Sequence, residues 1–190
     1  MTIIGVLALQ GAYHKHVAIL KGLDCKTLLV KNLSELTQCS ALIIPGGEST
    51  TMTQLMRRYN MVSALKEFAS THPVFGTCAG MILMADQVDD ARVDCLQLLR
   101  IRIQRNAYGR QAESFQANIK LSFVAKDRAF PGVFIRAPII EKLDASVETL
   151  ASFQGKPVLV AQANYLAASF HPELSDDNRI HRYWLERMVY

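Results

Sequence analysis

Short apolar runs alternate with segments of helical periodicity through the first half of the chain. Ile3 to Leu9 is a near-continuous apolar run, Thr27 to Val30 and Ala41 to Ile44 follow the same pattern, and Pro73 to Phe75 is shorter. Unbroken apolarity marks strands buried on both faces. Between these runs, Tyr13 to Leu20 carries apolar residues at Val17 and Leu20, three apart on a helix face. Thr51 to Tyr59, Val62 to Ser70 and Ala79 to Ala85 also read as helices. Strands separated by helices need crossover connections, so the expected core is a mainly parallel sheet with helices on both faces.

The second half has a different texture. Leu98 to Ile103, Ser114 to Leu121, Gly132 to Arg136, Val147 to Phe153, Val158 to Ala163 and Leu166 to Phe170 read as strands with few helices between them. They predict an antiparallel or mixed extension of the sheet. Ser175 opens a final helix to about Met188, with Ser175, Asp176 and Asp177 as N-cap and first-turn acids. No linker or repeat divides the 190 residues, so residues 1–190 are expected to form one domain.

Composition narrows the function. Lys and Arg total 21 against 17 Asp and Glu, a mild excess without a basic run, which argues against nucleic acid as the main partner. No apolar stretch approaches the ~20 residues that span a bilayer. The apolar N-terminus has no basic leader or small-residue cleavage site and reads as a strand. Cys25, Cys39, Cys78 and Cys95 form no CxxC pair or metal-finger spacing, so reduced thiols in a cytoplasm are expected.

The most informative stretch is Val74-Phe75-Gly76-Thr77-Cys78-Ala79-Gly80-Met81, an apolar strand running into Gly-x-Cys-x-Gly and then a helix. This is the cysteine form of a nucleophile elbow. The turn needs strained backbone angles, and glycines on either side leave room for helix to pack on strand. The sulfur then lies at a helix start that favours an anion, and the Ala79 N–H can face a developing oxyanion. On these residues alone, a tight turn holding an inert buried cysteine fits equally well.

Ser169-Phe170-His171-Pro172-Glu173 follows the apolar run Leu166 to Phe170. His171 and Glu173 are two apart, which puts both side chains on one face of an extended segment. Pro172 ends strand pairing, so the pair is expected at a strand end. A carboxylate beside an imidazole fixes its tautomer and supports its charge. Cys78, His171 and Glu173 would thus supply nucleophile, base and orienter. His14, His16, His72 and His181 read as surface or capping residues. Pro45-Gly46-Gly47-Glu48-Ser49-Thr50 follows the third strand, and its adjacent glycines let backbone N–H groups approach a ligand. Gly47 is the expected second oxyanion donor. An ordinary strand–helix connection with Glu48 or Ser49 as cap is the plain alternative. No Gly-Lys-Ser/Thr follows, which excludes a Walker loop.

These segments resemble those of the class I, triad glutamine amidotransferases, and among them the glutaminase subunits of pyridoxal 5'-phosphate synthase. The motifs occur in order over nearly the whole chain: Gly5 to Gly11, Pro45 to Thr51, Phe75 to Gly80, Arg105 to Gln111, Gly132 to Pro138 and Ser169 to Leu174. The resemblance implies a flavodoxin-like three-layer sandwich that hydrolyses L-glutamine to L-glutamate and ammonia. It implies Cys78 as nucleophile, His171 as general base and acid, and Glu173 as its partner. It also implies glutamine contacts from Gly47, Glu48, Ser49, Arg105, Ile135 and Arg136, no metal or organic cofactor, and a synthase subunit as partner in vitamin B6 biosynthesis. An arginine fork suits glutamine's α-carboxylate. Leu96-Gln97-Leu98 replaces the usual Leu-Gly-Leu of these chains, and the acidic segment Val88 to Asp94 is atypical. The alternatives are a glutaminase feeding another pathway, such as imidazole glycerol phosphate synthesis, and a flavodoxin-like cysteine protein of another class.

Overall fold

A computed structural model describes residues 2–105, 114–124 and 128–190. In chain order the first half runs β1 (Ile3–Leu7), α1 (Tyr13–Gly22), β2 (Lys26–Val30), α2 (Leu33–Leu36), β3 (Ala41–Ile44), α3 (Ser49–Arg58), α4 (Met61–Ala69), β4 (Val74–Thr77) and α5 (Ala79–Met84). The second half adds β5 (Ala85–Val88), β6 (Leu99–Gln104), β7 (Ser114–Ile119), β8 (Phe130–Ile135), β9 (Ile139–Leu143), β10 (Glu148–Phe153), β11 (Lys156–Gln162) and β12 (Tyr165–Ala168). A 3-10 turn at Pro172–Leu174, α6 (Arg179–Trp184) and a π-helical turn at Leu185–Val189 complete it.

The central sheet has the strand order β10-β11-β12-β4-β3-β1-β2. From β12 to β2 every pairing is parallel, and β11 and β10 extend the sheet antiparallel. Successive side chains of a strand point to opposite faces, so runs such as Ala41–Ile44, buried throughout, feed two cores. On one face Ile4, Val6, Ile43, Phe75 and Leu166 pack with Leu20 of α1 and Ile180 and Trp184 of α6. On the other, Leu7, Leu42, Ile44 and Val74 meet Met52 and Met56 of α3, Leu65 of α4 and Met81 and Leu83 of α5. This is the expected mainly parallel three-layer α/β architecture. Burying a side chain the size of Leu42 or Phe75 contributes about 1.5–3 kcal/mol.

Two expectations need correction, and one strand has no counterpart in the sequence reading. The second-half strands do not all extend the central sheet: β5-β6-β9 form a sheet of three and β7-β8 a hairpin of two. The reason lies in their burial. In β6, Leu99, Ile101 and Ile103 are buried while Arg100, Arg102 and Gln104 are exposed, so this strand can cover a core but cannot sit inside one. The last helix starts at Arg179, not Ser175, and its N-cap Asn178 makes no side-chain bond. Asp177 instead accepts the Arg179 N–H at 3.0 Å and pairs with its guanidinium, which also donates to the Arg128 and Ala129 carbonyls at 2.8 and 2.9 Å. That charge-assisted anchor outweighs simple capping. Finally, β9 carries only two buried residues, Ile139 and Ile140, and so has no alternation to betray it.

The atypical Leu96-Gln97-Leu98 segment has a left-handed residue at its centre. Gln97 takes φ 59°, the left-handed conformation that glycine adopts freely and side chains resist. Gln97→Gly is expected to stabilise the protein by about 0.5–1 kcal/mol. A melting temperature at or below that of wild type would contradict it.

Candidate active site

The C-terminal ends of β3, β4 and β12 lie side by side in the parallel part of the sheet, and the three segments singled out above leave from them. Crevices outside the carboxyl ends of parallel strands are where α/β sheets bind ligands. After β4 the chain turns at Cys78 with φ 49° and ψ −103°, the strained geometry expected of an elbow. The Cys78 N–H donates to the Ala168 carbonyl of β12 at 2.8 Å. The flanking glycines are needed for closeness: a Cβ on Gly76 would come within 2.7 Å of the Gly80 backbone, and one on Gly80 would strike the Ile44 carbonyl. Ala79, whose expected contribution is its N–H alone, is the first residue of α5.

After β12 the pair His171 and Glu173 comes together as expected, though by a different local geometry. His171 has φ −106° and ψ 85°, and the chain then enters the 3-10 turn Pro172–Leu174 rather than staying extended. His171 Nδ1 and Glu173 Oε1 are 2.7 Å apart. The His171 N–H donates to the Val133 carbonyl at 2.8 Å, which docks the end of β8 against the site and brings Ile135 and Arg136 to its rim. The Cys78 thiol donates to the Ile135 carbonyl oxygen at 3.8 Å and shares the cleft with His171.

The loop after β3 closes the third side. Neither Gly46 nor Gly47 has a positive φ, so a left-handed backbone is not what places glycine here. Close approach is: a Cβ on Gly46 would collide with the His171 ring, and one on Gly47 with the Gln10 amide. Gly46 is held at both ends, its N–H donating to Thr77 Oγ1 at 3.1 Å and its carbonyl accepting the Ala12 N–H at 3.1 Å. Gln10 Oε1 accepts the Glu48 N–H at 2.8 Å. Glu48 also caps α3, accepting the Thr50 N–H at 3.4 Å and the Thr50 hydroxyl at 3.1 Å, so the capping reading and the site reading hold together.

A cleft of about 290 Å³ joins these parts, lined among others by Gly47, Glu48, Ser49, Cys78, Arg105, Ile135, Arg136 and His171. Its size suits one small metabolite. A larger hollow of about 790 Å³ next to it shares only Leu174, and neither Cys nor His lines it among the described residues. Arg105 lies at the cleft, but Glu48 at 2.8 Å and Asp90 of the atypical acidic segment both hold its guanidinium. The rest of that motif, 106–111, lies outside the described residues. Among the described residues, no group of three or more His, Cys, Asp or Glu could hold a metal ion, and no helix is long and apolar enough to cross a membrane.

Burial opposes charge on His171, yet hydrogen bonds and charge from Cys78 and Glu173 push its pKa up to about 10. Burial likewise raises Glu173, but His16 and His171 overcome it and hold the carboxyl below its usual range. His16 is itself kept neutral by burial, so near neutral pH the charged partner of Glu173 is His171. These two shifts act on stability in opposite pH ranges. The raised His171 contributes stability that is fully present below its ordinary 6.5 and is lost as pH rises through about 10. The depressed Glu173 contributes stability present above its ordinary 4.5 and lost as pH falls. The difference in melting temperature between wild type and His171→Gln should therefore shrink steadily from about pH 6.5 to about pH 10. A constant difference between pH 7 and pH 10.5 would refute this (both values approximate).

Sequence reasoning missed four residues here. His16 and His181 were expected at the surface or in caps, and both are fully buried. His16 lies four residues before Leu20, the other buried residue of α1, so helix spacing was the available signal. Thr77 and Gln10 carried no signal, because hydroxyls and amides acquire meaning only from what they meet.

The sequence model of the SNO glutamine amidotransferase family matches residues 6–190. A pyridoxal 5'-phosphate synthase subunit PdxT of Oenococcus oeni is 46% identical over 183 residues, 96% of this chain and 95% of that one. The PdxT of Kosmotoga olearia is 47% identical over 188 residues, 98% and 97% of the two chains. A crystal structure of a glutamine amidotransferase superposes with a TM-score of 0.90 at 42% identity, covering 96% of this chain and 97% of that one.

Proposed function

The chain belongs to the SNO glutamine amidotransferase family, and from that premise we propose that it hydrolyses L-glutamine and passes the ammonia to a synthase subunit that makes pyridoxal 5'-phosphate. Residues 1–190 act as one amidotransferase domain. The observation that carries the chemistry is the cleft that holds the Cys78 thiol beside a His171 whose Nδ1 lies 2.7 Å from Glu173.

The reaction runs in two halves. Cys78 thiolate adds to the side-chain amide carbon of glutamine, and the oxyanion so formed is held by the N–H groups of Gly47 and Ala79. His171 gives its proton to the departing nitrogen, which leaves as ammonia with a glutamyl thioester on Cys78. His171 then takes a proton from water, the hydroxide adds to the thioester, and glutamate leaves as the thiolate is restored. Glu173 keeps the imidazole oriented and supports its charge in both halves. Glu48, Ser49, Arg105, Ile135 and Arg136 bind the amino-acid end of the substrate, with the Arg105 fork clamping its carboxylate in exchange for Glu48 or Asp90, which hold the guanidinium in the free protein.

Ammonia released without an acceptor is wasted, so the free subunit is expected to be nearly idle until the synthase docks. Reorienting the Gly46–Gly47 peptide would break the Ala12 to Gly46 hydrogen bond, which is worth about 1 kcal/mol, a barrier that docking can offset. Ammonia release from glutamine, measured with and without the synthase, tests both points. No release in the presence of the synthase would refute the glutaminase reading, and equal rates would refute activation.

A further inference from the structure

Behind the triad, on the side away from the cleft, lies a fully buried imidazole pair that the mechanism above leaves unused. We propose that His16 is a positioning residue of this site: its Nε2–H holds the second oxygen of Glu173 and, through Thr77, ties that carboxylate to the backbone of the glycine loop, while His181 fixes its tautomer. The proposal rests on the glutaminase reading and extends it by one layer of residues.

The geometry is continuous. His16 Nε2 lies 3.4 Å from Glu173 Oε2 and 3.2 Å from Thr77 Oγ1. Thr77 Oγ1 accepts the Gly46 N–H at 3.1 Å. His16 Nδ1 lies 2.9 Å from His181 Nε2. Glu173 Oε1 is taken by His171, and Oε2 has no full hydrogen bond but lies 3.4 Å from His16 Nε2. Helix α1, strand β4, the turn after β12 and helix α6 thereby meet at one point, with both oxyanion loop and triad carboxylate attached.

Three observations agree on where the protons sit. A carboxylate facing Nε2 requires a hydrogen there, since a lone pair would repel it. With Nε2 protonated, His16 Nδ1 must accept, so His181 donates through its Nε2. His181 Nδ1 is then a bare lone pair, and it is the atom of His181 that has no hydrogen-bond partner. An unpaired acceptor is the cheaper defect, because buried N–H groups without partners are rarer. The charged and polar groups facing His16 are Glu173 and His171 from the turn after β12, His181 from α6 and Thr77 from β4. Burial holds His16 neutral and brings His181 down to about 3, so the pair acts as a fixed dipole, without titrating in the working range.

The test uses the full chain in complex with its synthase. His16→Leu keeps the bulk and removes the N–H, and His16→Gln restores an amide N–H near the Nε2 position. His16→Leu is expected to lower kcat by ~10–100-fold, with KM for glutamine within about twofold. Losing the donor raises the pKa of Glu173, so the acid limb of kcat/KM should move to higher pH. His16→Gln should recover most of both. A folded His16→Leu with unchanged kcat and pH profile overturns the proposal. Equal losses in both variants, tracking a lowered melting temperature, overturn it as well, by marking His16 as packing. If His16→Leu does not fold, nitrogen NMR of the wild-type imidazoles decides. The expected result is a neutral Nε2–H tautomer of His16 from about pH 5 to 9. An Nδ1–H tautomer, or titration within that range, overturns the proposal. A wild-type complex that releases no ammonia would fail the glutaminase reading, a distinct outcome, because the tautomer is measured without turnover.

Discussion

Cys78→Ala is expected to leave the fold intact and to reduce ammonia release from glutamine by on the order of 10⁴–10⁶-fold. The structural work of this position is done by its backbone. Its N–H bonds Ala168 and its carbonyl accepts the Ile82 N–H at 3.1 Å, and alanine keeps both. The left-handed φ of 49° remains strained for either side chain, so the substitution neither relieves nor adds to it. What is lost is the sulfur, which makes one long contact of 3.8 Å to the Ile135 carbonyl and lines the cleft beside His171. The measurement is paired: melting temperature within a few degrees of wild type, and turnover in the presence of the synthase. Retained turnover would remove Cys78 as the nucleophile.

Glu173→Gln is expected to lower kcat by roughly 10³–10⁴-fold, the cost of an imidazole held in the wrong tautomer. The carboxylate accepts from His171 on Oε1 at 2.7 Å and sets Oε2 3.4 Å from His16 Nε2. An amide cannot do both. With its oxygen toward His171, its NH₂ confronts the nitrogen of His16; turned over, the NH₂ confronts His171 and forces the proton to the other ring nitrogen. Either way the charge that supports imidazolium is gone. Glu173 is buried, so its replacement also lowers stability, by about 1–3 kcal/mol for the donor left unpaired. A Glu173→Gln protein that turns over within tenfold of wild type would show that the carboxylate does not orient the base.

Much of this architecture is legible in the residues themselves. The apolar runs Ile3 to Leu9, Thr27 to Val30 and Ala41 to Ile44 mark buried parallel strands, because a chain sandwiched between two helical layers has no face left for polar side chains. Gly76, Gly80 and Gly46 are legible as close-approach positions, and the structure puts backbone or an imidazole where each Cβ would stand. Other features are not. Ala85 continues the apolar pattern of a helix, yet it begins β5, since nothing local distinguishes a short buried helix from the strand that follows it. Strand β9 is hidden for the same kind of reason, its pairing with β6 depending on a partner far along the chain.

Local pattern determined the alternation of strands and helices in the first half, the elbow at Cys78 and the nearness of His171 to Glu173, because period, turn chemistry and short separations are written residue by residue. Tertiary structure alone decided that Asp90 would occupy Arg105, that the second-half strands would divide into separate sheets, and that two histidines 165 positions apart would hydrogen-bond behind the triad. Those outcomes depend on which surfaces meet when the sheet twists and its layers close, and a helix face marked by one buried histidine carries no information about the residue that another helix will set against it.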